Sequence, residues 1–154
     1  MTNRTTPGAA LSLLILEVFR LNGRLLTAGD RLMAPLGLTS ARWQVLGAIA
    51  LASAPRPVAW LARDMGLNRQ GVQRIVNELT EEGFVAFAEN PHHRRAKLVM
   101  LTAKGRKACE AAERLQKPWV NALANGLVAN DLATASRVIE TLRKRLETAV
   151  EDGD

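Results

Sequence analysis

Five side chains able to read base edges fall within nine residues of "NRQGVQRIVNEL": Arg69, Gln70, Gln73, Arg74 and Asn77. Arginine's fork matches the major-groove acceptors of guanine, and glutamine or asparagine matches adenine. Each good pair gives about 1–3 kcal/mol of discrimination. At about 100° per residue, Val72, Ile75, Val76 and Leu79 share one helix face. Gln70, Gln73, Arg74 and Asn77 share the opposite face, with Arg69 at its shoulder. Arg69 and Arg74 lie in the first half of this helix, and Glu78, Glu81 and Glu82 in the second. A membrane-surface helix would be basic along its whole polar face. Here the cations gather at the N-terminal end, where the helix dipole also favours phosphate. Gly71 costs roughly 1 kcal/mol against alanine inside a helix. It is either a neutral accident of the first turn or a place where a backbone or phosphate comes close.

These residues need a frame. Asn68 is placed to cap their helix, which runs to Glu82 and stops at Gly83. A shorter helix, Val58 to Met65, precedes it, with Gly66 in the turn. A helix–turn–helix needs a small residue at the crossing, a turn glycine and apolar anchors on the second helix. Ala62, Gly66, Val72 and Ile75 fill those places, and Leu61 and Val76 add contacts. After Gly83, "FVAFAE" and "KLVML" read as two strands joined by "NPHHRRA". Arg94, Arg95 and Lys97 at this hairpin suit a wing, from which an arginine can enter a narrow minor groove.

The flanks are helical. Residues 1–8 read as a polar N-terminal tail. From Ala9, Leu11, Leu14, Val18, Leu21, Leu25, Ala28 and Leu32 recur at steps of three and four, a heptad seam. A second stripe through Ile15, Phe19 and Leu26 makes the apolar surface wide enough to need cover on two sides, from a partner subunit or the chain's own last helices. "APLGL" ends this helix, and Thr39 caps the mostly apolar "SARWQVLGAIALA". Thr102 caps "AKGRKACEAAERLQ", and Pro118 should kink or end the pattern that follows. A last helix, from near Asn130, carries the seam Leu132, Ala135, Ile139, Leu142, Leu146 and Ala149. The expected fold is mainly α with a small β-hairpin wing: a winged helix–turn–helix whose terminal helices form a dimerisation domain. The expected divisions are a tail (1–8), a dimerisation helix (9–36), the DNA-binding domain (37–101) and C-terminal dimerisation helices (102–154). Leu11, Leu14, Val18, Leu21, Ile139, Leu142 and Leu146 are the expected dimer contacts.

Composition agrees. The 154 residues are 47% apolar and carry a net charge of +6, with a pI near 10.4. A small basic chain of this kind favours polyanionic partners. The one cysteine, Cys109, allows no intrachain disulfide and fits a reducing compartment. No uncharged stretch is long enough to span a bilayer, so a cytoplasmic protein without a membrane partner is expected. HExxH, a nucleophile elbow, a phosphate loop and paired carboxylates are all missing, so neither an enzyme nor a cofactor is expected. The adjacent His92 and His93 have no carboxylate or cysteine at ligand spacing, so no metal site is expected. With three Trp, three Phe and no Tyr, single-strand recognition by base stacking is poorly supported.

The segment from Val58 to Gly105, with its "L-x-x-x-G-F/L-V" exit and "N-P-x-x-R-R…V-x-L-T-x-x-G" wing, resembles the MarR family of multiple-antibiotic-resistance regulators. The motifs cover roughly residues 39–105, and the helix order covers nearly the whole chain. The resemblance implies a homodimer, built by the first and last helices, that binds pseudo-palindromic duplex DNA. It also implies a repressor released by a small, often aromatic, ligand that binds between the dimer domain and the DNA-binding lobe. Asn68, Arg69, Gln70, Gln73, Arg74, Asn77, Arg94 and Arg95 would then contact DNA. Two positions depart from the pattern. His93 stands where the family usually has an aspartate that braces the wing, and Gly71 and Gln73 replace early hydroxyl residues. No ligand-binding residue is assigned: Trp43 and Trp119 could line an effector pocket, with core packing the better reading of Trp43, and Arg42 and Arg20 could pair with a ligand carboxylate or simply be solvated. The alternatives are a winged-helix protein-interaction module and a redox-responsive regulator using Cys109.

Overall fold

A computed structural model describes the backbone of residues 3–151 and side chains as far as residue 148. The helices are α1 (Thr6–Met33), α2 (Ser40–Leu51), α3 (Val58–Met65), α4 (Arg69–Glu81), α5 (Ala103–Leu123) and α6 (Ala129–Glu151). The strands are β1 (Arg56–Pro57), β2 (Val85–Ala88) and β3 (Leu98–Leu101), forming an antiparallel sheet in the order β1-β3-β2. The architecture is mainly helical with a small winged sheet, as expected. The chain divides into two compact units, the first ending at Gln116 and the second beginning at Lys117.

In the first unit, Met33, Leu46, Leu61, Val72, Val76 and Leu79 are among the fully buried side chains. They join α1–α4 in one core, and Val85 and Val99 seat the sheet on it. Each such burial contributes roughly 1.5–3 kcal/mol. The expected caps form. The Thr39 hydroxyl accepts from Arg42 N at 3.2 Å, and the Thr102 hydroxyl accepts from Gly105 N at 3.1 Å. Where α1 crosses α2, Gly29 packs so closely on Ser40 that a Cβ would lie 2.7 Å from its hydroxyl. Asp30 accepts from Ser40 N at 2.7 Å in the same crossing.

Three details differ from the sequence reading. Thr6, Pro7 and Gly8 belong to α1 rather than to a tail. Thr5 accepts from Gly8 N at 3.1 Å, and a proline in the first helical turn gives up a donor that would have no partner there. Residues 1 and 2 lie outside the described residues. Strand β1 was not foreseen: two residues, one a proline, carry no periodicity, and their pairing with Val99 and Leu98 is tertiary. Finally, Pro118 does not end α5; helix continues to Leu123. One missing hydrogen bond is outweighed there by cooperative propagation on both sides.

In the second unit, α6 leaves Leu132, Ile139 and Leu146 exposed and Leu142 half-buried. The side chain of Ala149 lies outside the described residues. On α1, Leu14, Val18 and Leu21 are exposed and Leu11 is half-buried.

Candidate nucleic-acid interface

The site is built on α4. Asn68 accepts from Gln70 N at 2.8 Å and from Gly71 N at 3.3 Å, which fixes the first turn. Gly66, at φ +64°, makes the tight turn from α3, and Ala62 is buried at the crossing. With Val72, Val76 and Leu79 buried, Arg69, Gln70, Arg74 and Asn77 are exposed and Gln73 is half-buried. Gln73 donates to Asn77 at 2.9 Å, so the two amides are held as a pair. A Cβ at Gly71 would meet nothing within 4 Å, so packing inside the chain does not require glycine there.

The wing approaches the same face. A concavity of about 290 Å³ lies between them, lined by Arg69, Gln73 and Asn77 from α4, by Phe87, Arg95, Ala96 and Lys97 from the hairpin, and by Pro57, Val58 and Ala59. Arg94 is exposed farther along the hairpin, beside Glu89 and Asn90. Among the described residues, Arg69, Arg94, Arg95 and Lys97 have no ion-pair partner. Arg20, Arg143 and Lys144, by contrast, pair with Glu17, Glu147 and Glu140.

The wing has its own brace. Buried Asn90 donates to Ala96 O at 2.9 Å and accepts from His92 N at 3.0 Å, closing the loop from both sides. His93 takes part through its backbone, donating to Asn90 O at 3.2 Å and accepting from Ala96 N at 3.1 Å. The loop is thus held without a carboxylate at position 93. The only signal for Asn90 in the sequence was its place before a turn proline. Asn90→Ala removes the side-chain partner of two backbone groups, Ala96 O and His92 N. It is expected to loosen the loop, which amide hydrogen exchange at residues 92–96 would register as faster exchange; protection equal to wild type would show that the brace is dispensable.

Sequence reasoning left Arg42 open as a ligand contact. It is instead occupied, donating to both oxygens of Glu82 and to Gly37 O at 3.4 Å. It also faces Glu78 at 3.5 Å. The Arg42 hydrogen bond holds the Glu82 carboxyl below its ordinary pKa. Arg20 is paired with Glu17, and Trp43 packs against the core. Cys109 is half-buried with its thiol 3.9 Å from Leu46 O. Burial, then the charge of Glu110, pushes its pKa up. A redox sensor needs an accessible thiolate, so this setting does not favour the Cys109 alternative. His92 and His93 are exposed, and no cluster of metal-ligating side chains occurs among the described residues. No described helix is long and apolar enough to cross a membrane.

A helix–turn–helix followed by a basic wing defines a winged-helix protein. The MarR family model matches residues 36–96. An uncharacterized protein of Mycobacterium tuberculosis is 35% identical over 133 residues, covering 86% of this chain and 90% of that protein. Structurally, CouR of Rhodococcus jostii, bound to p-coumaroyl-CoA, matches with a TM-score of 0.76 at 22% identity, covering 84% of this chain and 91% of that one. A mutant MarR of Escherichia coli complexed with operator DNA matches with a TM-score of 0.69 at 26% identity, covering 83% and 94%. The chain belongs to the MarR family, whose members are DNA-binding, ligand-responsive transcription regulators rather than enzymes.

Proposed function

We propose that this regulator is a homodimer that binds a pseudo-palindromic duplex and acts as a repressor released by a small molecule. One observation carries the DNA reading: cations from two elements, Arg69 on α4 and Arg95 and Lys97 on the wing, surround the paired amides of Gln73 and Asn77 and have no ion-pair partner among the described residues. Asn68, Arg69, Gln70, Gln73, Arg74 and Asn77 would occupy a major groove, and Arg94 or Arg95 the flanking minor groove. The apolar residues exposed on α1 and those exposed on α6 support a second copy as their cover. Twofold symmetry would set the half-sites about one helical turn apart. The operator-bound relative supports duplex DNA as the partner, while release by a small molecule rests on the habit of the family. An interaction module without DNA would leave this convergence of cations unexplained. Gln73→Ala tests base reading. It should relax preference at one base position by about 1–3 kcal/mol, measured on a panel of single-base operator variants. Equal weakening on every duplex would make Gln73 a phosphate contact instead.

A further inference from the structure

The polar face of α4 is not uniformly basic. Arg69, Gln70, Gln73, Arg74 and Asn77 share one shallow depression with Glu78 and Glu81. A carboxylate there repels a phosphate backbone and competes with it for Arg74, whose Nη1 lies 3.6 Å from Glu78 Oε1. On its other side, Glu78 Oε2 lies 3.5 Å from Nε of Arg42, a residue of α2. The Arg42 side chain is only 14% exposed, and it is fixed by Glu82 and by Gly37 O. Its Nε is buried without a hydrogen bond, so its contact with Glu78 is one of charge rather than of directed bonding. By contrast, the Arg74 side chain is 75% exposed.

We propose that Arg42 is a positioning residue for DNA binding: it neutralises Glu82 and shares the charge of Glu78, weakening the hold of Glu78 on Arg74 so that a phosphate can compete for Arg74. Arg42 need not touch DNA to do this. The geometry suits the task, because a guanidinium held by Glu82 and Gly37 O is a fixed positive charge beside Glu78. It also accounts for a helix that carries Glu78 and Glu82 close to its reading residues. The proposal rests on the groove-binding reading of α4, and wild-type binding to the operator duplex is its reference.

The test is a charge-rescue series measured by duplex titration. Arg42→Gln should weaken operator binding about tenfold, and adding Glu78→Gln to it should restore affinity to within roughly threefold of wild type. Arg42→Lys, which keeps the charge and gives up the fork, should also bind within roughly threefold. A purely structural Arg42 would behave otherwise, since removing a second partner would not recover affinity. Unchanged binding by Arg42→Gln, or no recovery with Glu78→Gln, would overturn the proposal. Should Arg42→Gln fail to fold, the doubly substituted chain and Arg42→Lys decide: near-wild-type binding by both supports the proposal, and weak binding by either folded variant overturns it. If wild type itself binds no duplex, the reading of α4 has failed rather than the role of Arg42.

Discussion

Gly105→Ala is expected to destabilise the chain by about 3 kcal/mol, lowering Tm by roughly 6–12 °C. The cause is steric. A Cβ at this position would sit 2.0 Å from Phe84 O and 3.1 Å from the carbon of that carbonyl, against backbone that cannot rotate aside. The same carbonyl accepts from Thr102 N at 3.1 Å, and the Thr102 hydroxyl donates to Gly83 O at 2.6 Å. Lys104 donates to Glu82 O at 2.6 Å and lies 4.4 Å over the Phe84 ring. The start of α5 therefore grips the place where the recognition helix ends and the wing begins. Pushing it away would strip these bonds together, which is why one methyl group carries so large an expected effect. Thermal unfolding measures it directly, and a Tm within 2 °C of wild type, an experimental margin of about 1 kcal/mol or less, would contradict the packing described here.

Removing both wing arginines, Arg94→Ala with Arg95→Ala, is expected to weaken operator binding by about tenfold or more at moderate salt. The slope of log K against log[salt] should fall by about 0.9 for each phosphate that is no longer neutralised. Both side chains are exposed and lack an ion-pair partner among the described residues. Their loop is held by Asn90 and backbone hydrogen bonds instead. Stability should therefore change by no more than about 0.5 kcal/mol. Titrations at several salt concentrations, paired with thermal unfolding, separate the two effects. Unchanged affinity with an unchanged slope would show that the wing does not touch DNA.

What was legible in the sequence was local and periodic. The two faces of α4 follow from a 3.6-residue repeat, and the caps Thr39, Asn68 and Thr102 from side chains that bond to backbone two or three residues on. Gly66 and Gly83 mark turns because their positive φ disfavours other residues. What was not legible depends on partners distant in sequence. Arg42 and Glu82 are forty positions apart, and no periodic pattern joins them. Strand β1 exists only because β3 lies beside it. The demand for glycine at position 105 comes from a carbonyl twenty-one residues earlier. At Pro118 the opposite holds: the local rule that would end a helix is overridden by the helix around it, which runs on to Leu123.

The central claim is that α4 and the wing together read duplex DNA. Its most direct test is a titration of the whole chain against a duplex from upstream of its own gene, beside a scrambled duplex, at two salt concentrations. Tight, salt-sensitive binding that favours the upstream duplex is the predicted result. Absence of binding to either duplex at low salt would contradict it.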